Sequence, residues 1–335
     1  MRLDELTKLC RRRRLDMIAV CMEANVRTFT GIACDNAIVS VERGRTVFYT
    51  DFRYVPMVHR VAPGLKVRDI RKFAVRGARI GYEASIAHAR FLKFAEQAPK
   101  AKFVDIGEDL AAIRAVKTAD EIAAIRAAEA LDCAIWETAS RRFRPGMTEK
   151  GMARIIRKLM IDRGDGEAFD TIVCVGKNAA ECHHVPDETV WDGRAPVLVD
   201  MGVKLNGVCS DLTRNLFPKP TAKYRKVYDL VRKAHDAAIA AARPGLTAKA
   251  LDKVARDVIR KGGYGPAFGH SLGHGVGYEI HEAPTVSRRS DMVLRPGMTV
   301  TIEPGVYLEG ELGVRIEDLI LITEDGCEVL SKTRT

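Results

Sequence analysis

Arg144-Pro145-Gly146-Met147-Thr148 returns 99 residues later as Arg243-Pro244-Gly245-Leu246-Thr247. At the same offset Gly166-Glu167-Ala168-Phe169 returns as Gly265-Pro266-Ala267-Phe268. Downstream, His183-x-x-Pro186 matches His281-x-x-Pro284, and Val199-Asp200-Met201-Gly202-Val203 matches Ile302-Glu303-Pro304-Gly305-Val306. Ser210-Asp211 then matches Ile316-Glu317. A third pentamer, Arg295-Pro296-Gly297-Met298-Thr299, shows that such turns arise singly; five matches in one order do not. The pattern predicts a duplicated unit with pseudo-twofold symmetry. A helix is expected after each pentamer, over 148–163 and 247–261, so each half reads as one helix followed by several strands.

The repeat aligns acid with acid and histidine with histidine: Asp200 with Glu303, Asp211 with Glu317, His183 with His281. Each acid lies in or at the end of an apolar, strand-like run, such as Val197-Leu198-Val199 before Asp200 and Val300-Thr301-Ile302 before Glu303. Carboxylates so placed are expected to be buried, and several buried together repel unless protons or cations neutralise them. A pair of metal ions removes that cost. His274, in Gly273-His274-Gly275-Val276-Gly277, has no counterpart in the first half, and its flanking glycines allow close backbone approach to a ligand. A single acid at a strand end is ordinarily a cap or turn residue, and a lone Gly-His-Gly says little. Four acids and three histidines at these positions point to a metal site. An oxygen-rich set with one nitrogen suits Mn²⁺, Fe²⁺ or Co²⁺, with Zn²⁺ tolerated, and is unlike a cysteine-rich structural zinc site.

Outside the repeat the chain divides in two. The first ~110 residues alternate short strands (17–22, 37–41, 46–50, 78–82, 102–106) with helices (54–61, 86–97), an α/β domain without a chemical motif. Thr118 with Glu121 forms a capping box, and Ile122, Ile125, Ala128 and Cys133 continue at helical spacing, a helix expected to link the domains. The expected division is 1–110 and 111–335, and the fold class α+β.

Composition narrows the function. The net charge is +10, but it is spread over Arg-rich helices, with Arg11 to Arg14 the only tight cluster and no nucleic-acid-reading module beside it. Neither nucleic acid nor a membrane is expected as a partner, because no run approaches the ~20 apolar residues of a spanning helix. With arginines where a signal peptide would need apolar residues, the expected location is cytoplasmic. Eight scattered cysteines form no Cys-x-x-Cys pair and read as small core hydrophobes. His59, His88 and His235 read as surface or helix residues, His184 as loop support, and Trp136 and Trp191 as packing.

Four segments together resemble the M24 metallopeptidase family, and within it the Xaa-Pro aminopeptidases and prolidases. They are Asp200-x-Gly-x₈-Asp211-x-Thr213-Arg214, His270-x₃-His274-Gly-Val-Gly-x₃-His281-Glu-x-Pro284, Ile302-Glu303-Pro304-Gly305 and Arg315-Ile316-Glu317-Asp318. The resemblance covers essentially the whole chain and implies a creatinase-type N-terminal domain followed by a pita-bread catalytic domain. It implies two divalent ions, Mn²⁺ favoured, on Asp200, Asp211, His274, Glu303 and Glu317, with Asp211 and Glu317 shared between them. Glu303 is then the general base towards a metal-activated water. His183 and His281 line the scissile bond, and His270 and Arg315 lie close to substrate. A peptide with proline second is the implied substrate and a homodimer the implied assembly. Cys182 departs from the family, which often has proline before the first site histidine, and this puts the placement of the His183 loop in doubt. Two other readings remain at this point: a pita-bread hydrolase of a non-peptide C–N bond, and a binding protein that has lost catalysis.

Overall fold

The computed structural model describes residues 1–333, which divide into two compact units, Met1–Arg114 and the chain from Ala115 onward. The boundary expected near 110 falls inside the helix Gly107–Ala115. No helix among the described residues is long and apolar enough to cross a membrane.

The first unit is built on one six-stranded sheet. Its central strand Met17–Val20 runs antiparallel to Ala37–Glu42 and parallel to Arg79–Tyr82. Arg45–Thr50 and Val67–Asp69 extend one side, and Lys102–Asp105 the other. All five strands expected from sequence form within a residue or two of their predicted limits. Two apolar clusters cover the two sheet faces: Ile18 and Val20 join one and Met17 and Ala19 the other, the alternation a strand imposes. Helices Leu3–Arg12 and Glu23–Thr30 and the strand Val67–Asp69 are additional to the sequence reading.

The second unit shows the duplication in its backbone. Three strands in the order Leu212–Leu216, Val197–Met201, Ile172–Val175 form one half-sheet, all antiparallel. Asp318–Ile322, Thr299–Ile302 and Gly273–Gly275 form the corresponding ladder of the other half, extended by an edge strand on each side. Each of the two repeated pentamers, 144–148 and 243–247, ends in a threonine that caps the following helix. The Thr148 hydroxyl accepts from Gly151 N at 3.1 Å and the Thr247 hydroxyl from Ala250 N at 3.3 Å. The turns are pinned alike, with Gly146 N donating to Trp191 O and Gly245 N to Leu294 O, and bridges joining Thr148 to Val190 and Thr247 to Val293.

Each half contains a helix pair rather than one helix. Ala119–Ser140 packs on Glu149–Arg163, and Ala222–Ala241 packs on Ala248–Lys261. The capping box at Thr118 and Glu121 is formed, but its helix is no linker. Cys133, Ile135, Trp136 and Ala139 lie in the first half's core with Met152, Ile156 and Met160. The long helix Ala222–Ala241 fills the equivalent place in the second half, with Val227, Val231 and Ala238 against Leu251, Val300 and Ile302. Along Val197–Met201, the residues Val197, Val199 and Met201 turn to the helices, which leaves Asp200 to the opposite face.

Candidate metal centre

All five implied ligands belong to the second unit and stand in strands or at their ends. Asp211 and Glu317 immediately precede the strands Leu212–Leu216 and Asp318–Ile322, Glu303 follows Thr299–Ile302, and Asp200 and His274 lie within strands. Thr213 bridges Glu317, so the two half-sheets meet where their ligands are. Nε2 of His274 lies 3.5 Å from Asp211 Oδ2 and 3.4 Å from Glu303 Oε1. Asp211, His274 and Glu317 each offer a ligand atom within 4.8 Å of one another. Asp211 and Glu317 are only 4% and 2% exposed, as the apolar runs around them predict.

Electrostatics show what this arrangement lacks. Burial pushes the Asp211 carboxyl well up, and the charges of Glu317, Asp200 and Glu303 add to it. Glu317 is raised by burial and by Glu303 and Asp200. Burial lifts Glu303 to about 8, with Asp200 raising it further and Arg315 pulling it back. Two like charges about 4 Å apart repel by about 4 kcal/mol at the effective dielectric of such sites, so four carboxylates cannot remain ionised here without cations. Two details favour metal over protons. Oδ1 of Asp200 is buried with no hydrogen-bond partner. Nδ1 of His274 sits 3.1 Å from the Gly275 carbonyl, so it carries the proton and leaves the Nε2 lone pair for an ion. Burial holds this imidazole at about 4, hence neutral, with His281 contributing. The donor set therefore fits a divalent pair.

A second cluster, Glu149, His184 and Asp187, has ligand-like spacing but no room for an ion. Glu149 Oε1 already accepts from Val175 N at 2.6 Å and Asn178 Nδ2 at 2.9 Å, and Oε2 from Asp187 N at 3.0 Å and His184 Nε2 at 2.7 Å. These use the carboxylate's acceptor capacity. The first cluster is therefore the candidate metal centre.

The other implied residues surround it. The His281 ring packs edge-on against His274 with centroids 4.4 Å apart. His270 Nδ1 faces the Ser271 carbonyl at 2.8 Å and Nε2 the Tyr307 hydroxyl at 2.9 Å. Burial and then the Arg315 charge hold His270 at about 4. Arg315 is 3% exposed, and each of its three nitrogens donates a hydrogen bond. Nη2 donates to Asp200 Oδ2 at 2.6 Å, Nη1 to Tyr307 Oη at 2.8 Å and to the Cys182 carbonyl at 3.4 Å, and Nε to Thr213 Oγ1 at 3.1 Å. It thus orients Asp200 from behind. Through the Cys182 carbonyl it also fixes the loop that the absent proline puts in doubt.

Several contributors escaped the sequence reading. Thr301 Oγ1 accepts from His274 N and donates to Glu303 Oε1 at 3.3 Å, touching two ligands at once. Glu129, on the first helix, accepts from Asp211 N at 3.2 Å. Arg214, 1% exposed, donates to the Glu317 carbonyl and to Asp318 Oδ1, both at 2.6 Å, and His235 on the long helix completes Asp318 at 3.2 Å. His235 is accordingly buried, not a surface residue. Arg214 and Asp318 both stand in the quoted sequence segments; their pairing is what the sequence does not show. Arg214→Met leaves Asp318 buried without its guanidinium and is expected to cost about 3–5 kcal/mol of stability, read from the denaturant midpoint.

The sequence profile of metallopeptidase family M24 matches residues 123–324, and that of the creatinase/prolidase N-terminal domain matches residues 2–116. The chain belongs to metallopeptidase family M24. It is 34% identical over 341 residues to the Xaa-Pro dipeptidase of Pyrococcus furiosus, covering 99% of this chain and 98% of that one. A 193-residue stretch is 45% identical to the Xaa-Pro dipeptidase of Lactobacillus helveticus, 57% of this chain and 52% of the other. Among solved structures, prolidase from Pyrococcus furiosus superposes with a TM-score of 0.93 at 33% identity, over 98% of this chain and 100% of that one. Xaa-Pro dipeptidase from Bacillus anthracis gives 0.93 at 32%, over 100% and 98%. The chain is therefore a creatinase-type N-terminal domain followed by a pita-bread domain.

Proposed function

We propose that this chain hydrolyses the bond between an N-terminal residue and proline in dipeptides or short peptides. The observation that carries the reading is the gathering of Asp211, His274, Glu303 and Glu317 at one site, to which Arg315 also holds Asp200. It occurs in a chain that aligns end to end with an Xaa-Pro dipeptidase. These five residues would hold the two cations, Asp211 and Glu317 being the pair placed to serve both. Four carboxylates against one imidazole favour Mn²⁺ over zinc. When bound, such a pair acidifies a water molecule and polarises the scissile carbonyl.

The chain's own side chains do the rest. Glu303 accepts the proton of the attacking water as general base. His281, against His274, donates to the carbonyl oxygen as negative charge develops there. His183 bonds the peptide and helps to protonate the departing nitrogen. Because an Xaa-Pro nitrogen carries no hydrogen, the ring must be recognised by shape, and His270 with Tyr307 offers an aromatic wall for it. Arg315 acts on substrate through this wall and through Asp200.

We assign the creatinase-type domain to the part up to the end of the helix Gly107–Ala115, the catalytic domain to the remainder, a homodimer as the working form and the cytoplasm as its location. Purified protein should be assayed on Xaa-Pro dipeptides and Xaa-Pro-Yaa peptides with Mn²⁺, Co²⁺ or Zn²⁺. Turnover of the Xaa-Pro set, with Xaa-Ala controls slower by at least about tenfold, is the expected result; a lost ring contact of that size is about 1.4 kcal/mol. Metal-loaded protein inert towards every proline-second peptide overturns the reading.

A further inference from the structure

The two site histidines, His183 and His281, are both exposed, and in each half of the repeat the very next residue is buried. His184 and Glu282 occupy matching positions in His183-His184-x-Pro186 and His281-Glu282-x-Pro284. Each is held by a charged partner from outside its loop. His184 Nε2 lies 2.7 Å from Glu149 Oε2, with side-chain exposures of 9% and 0%. Glu282 Oε2 accepts from Lys117 Nζ at 2.7 Å, with exposures of 1% and 3%. The polarity is reversed between the halves, but the device is the same.

Each anchor also gathers backbone. Glu149 takes the amide of Asp187, while the amides of Glu149 and Lys150 donate to the carbonyls of Thr189 and Asp187, so the loop after His183 is stapled to the start of the helix Glu149–Arg163. Glu282 accepts from Glu279 N at 3.0 Å and fills the space that a side chain at 277 would need. Buried ion pairs are weak devices for stability, because desolvation offsets attraction, but they fix one geometry. Here the geometry they fix is that of the residue one bond away.

Resting on the reading that His183 and His281 flank the scissile bond, we propose that His184 with Glu149, and Glu282 with Lys117, are positioning residues. They hold the two reacting imidazoles at the metal cluster without touching substrate or metal.

The test uses the full chain loaded with Mn²⁺ and an Xaa-Pro dipeptide. Glu149→Gln, His184→Asn and Glu282→Gln are each expected to lower kcat roughly ten- to a hundredfold, the scale of a small misplacement. KM and metal content should stay within about twofold, since uniform binding is untouched. The decisive readout is coupling. In a His183→Ala background Glu149→Gln and His184→Asn should add almost nothing, and likewise Glu282→Gln on His281→Ala, because a residue acting only through another has nothing left to act on. Independently, ¹³C-labelled histidine spectra should show the His183 resonance shifted or broadened in His184→Asn and Glu149→Gln, and the His281 resonance in Glu282→Gln. Additive losses in the double variants, or unchanged kcat with unchanged spectra, overturn the proposal. Should Glu149→Gln fail to fold, His184→Asn carries the same test. Should the wild-type chain turn over no Xaa-Pro peptide, the functional reading fails and the spectra alone decide the anchors.

Discussion

Glu303→Gln is expected to lower kcat by at least about 10³-fold, near the upper part of the range for a general base, while the protein stays folded. The amide has the carboxylate's shape and can still accept from Thr301 Oγ1, so the contact that positions it survives. What it cannot do is take a proton from water. The substitution also removes one negative charge from a cluster in which Asp200, Asp211 and Glu317 already repel one another. The metal-free variant should therefore melt no lower than the metal-free wild type. Turnover, metal content and thermal melts of both forms check this. Turnover within about tenfold of wild type, on the scale of 1.4 kcal/mol in the barrier, removes Glu303 from the base role.

That expectation is legible in the sequence because the four candidate carboxylate ligands lie on the repeat. Strand alternation and the half-to-half alignment of Asp200 with Glu303 and Asp211 with Glu317 are local signals, and the structure brings these residues together. The residues that tune the cluster left no comparable trace. Tyr307 and Thr301 sit in ordinary strand runs, and their contacts with Arg315, His270 and His274 depend on which strands become neighbours. Glu129 reaches Asp211 from a helix 82 residues away in sequence. The helix Ala222–Ala241 was overlooked because the repeat pattern was anchored on its pentamers, and that helix precedes the second one just as Ala119–Ser140 precedes the first. Reading Ala119–Ser140 as a linker had the same origin: its capping box marks where a helix starts, not what the helix packs against.

Asp211→Ala should separate metal binding from catalysis most sharply. Asp211 is buried, with Glu317 among the charges that raise it, and shares the reach of His274 Nε2. As the proposed shared ligand, Asp211 should not be lost without weakening both ion sites. Hydrolysis is expected to fall below detection and bound metal well below the two ions of wild type. The stability readout distinguishes this from misfolding. A ligand that binds only the folded state at 100 times its dissociation constant adds about 2.7 kcal/mol, so wild-type protein should melt several degrees higher in Mn²⁺ than in EDTA. Asp211→Ala should show almost no such difference. Its EDTA melt should stay close to wild type, because the lost carboxylate is one the metal-free protein buries unfavourably, and the Glu129 contact to its amide needs only the backbone. A variant that still gains the full metal-dependent shift would place the ions somewhere other than among these five side chains.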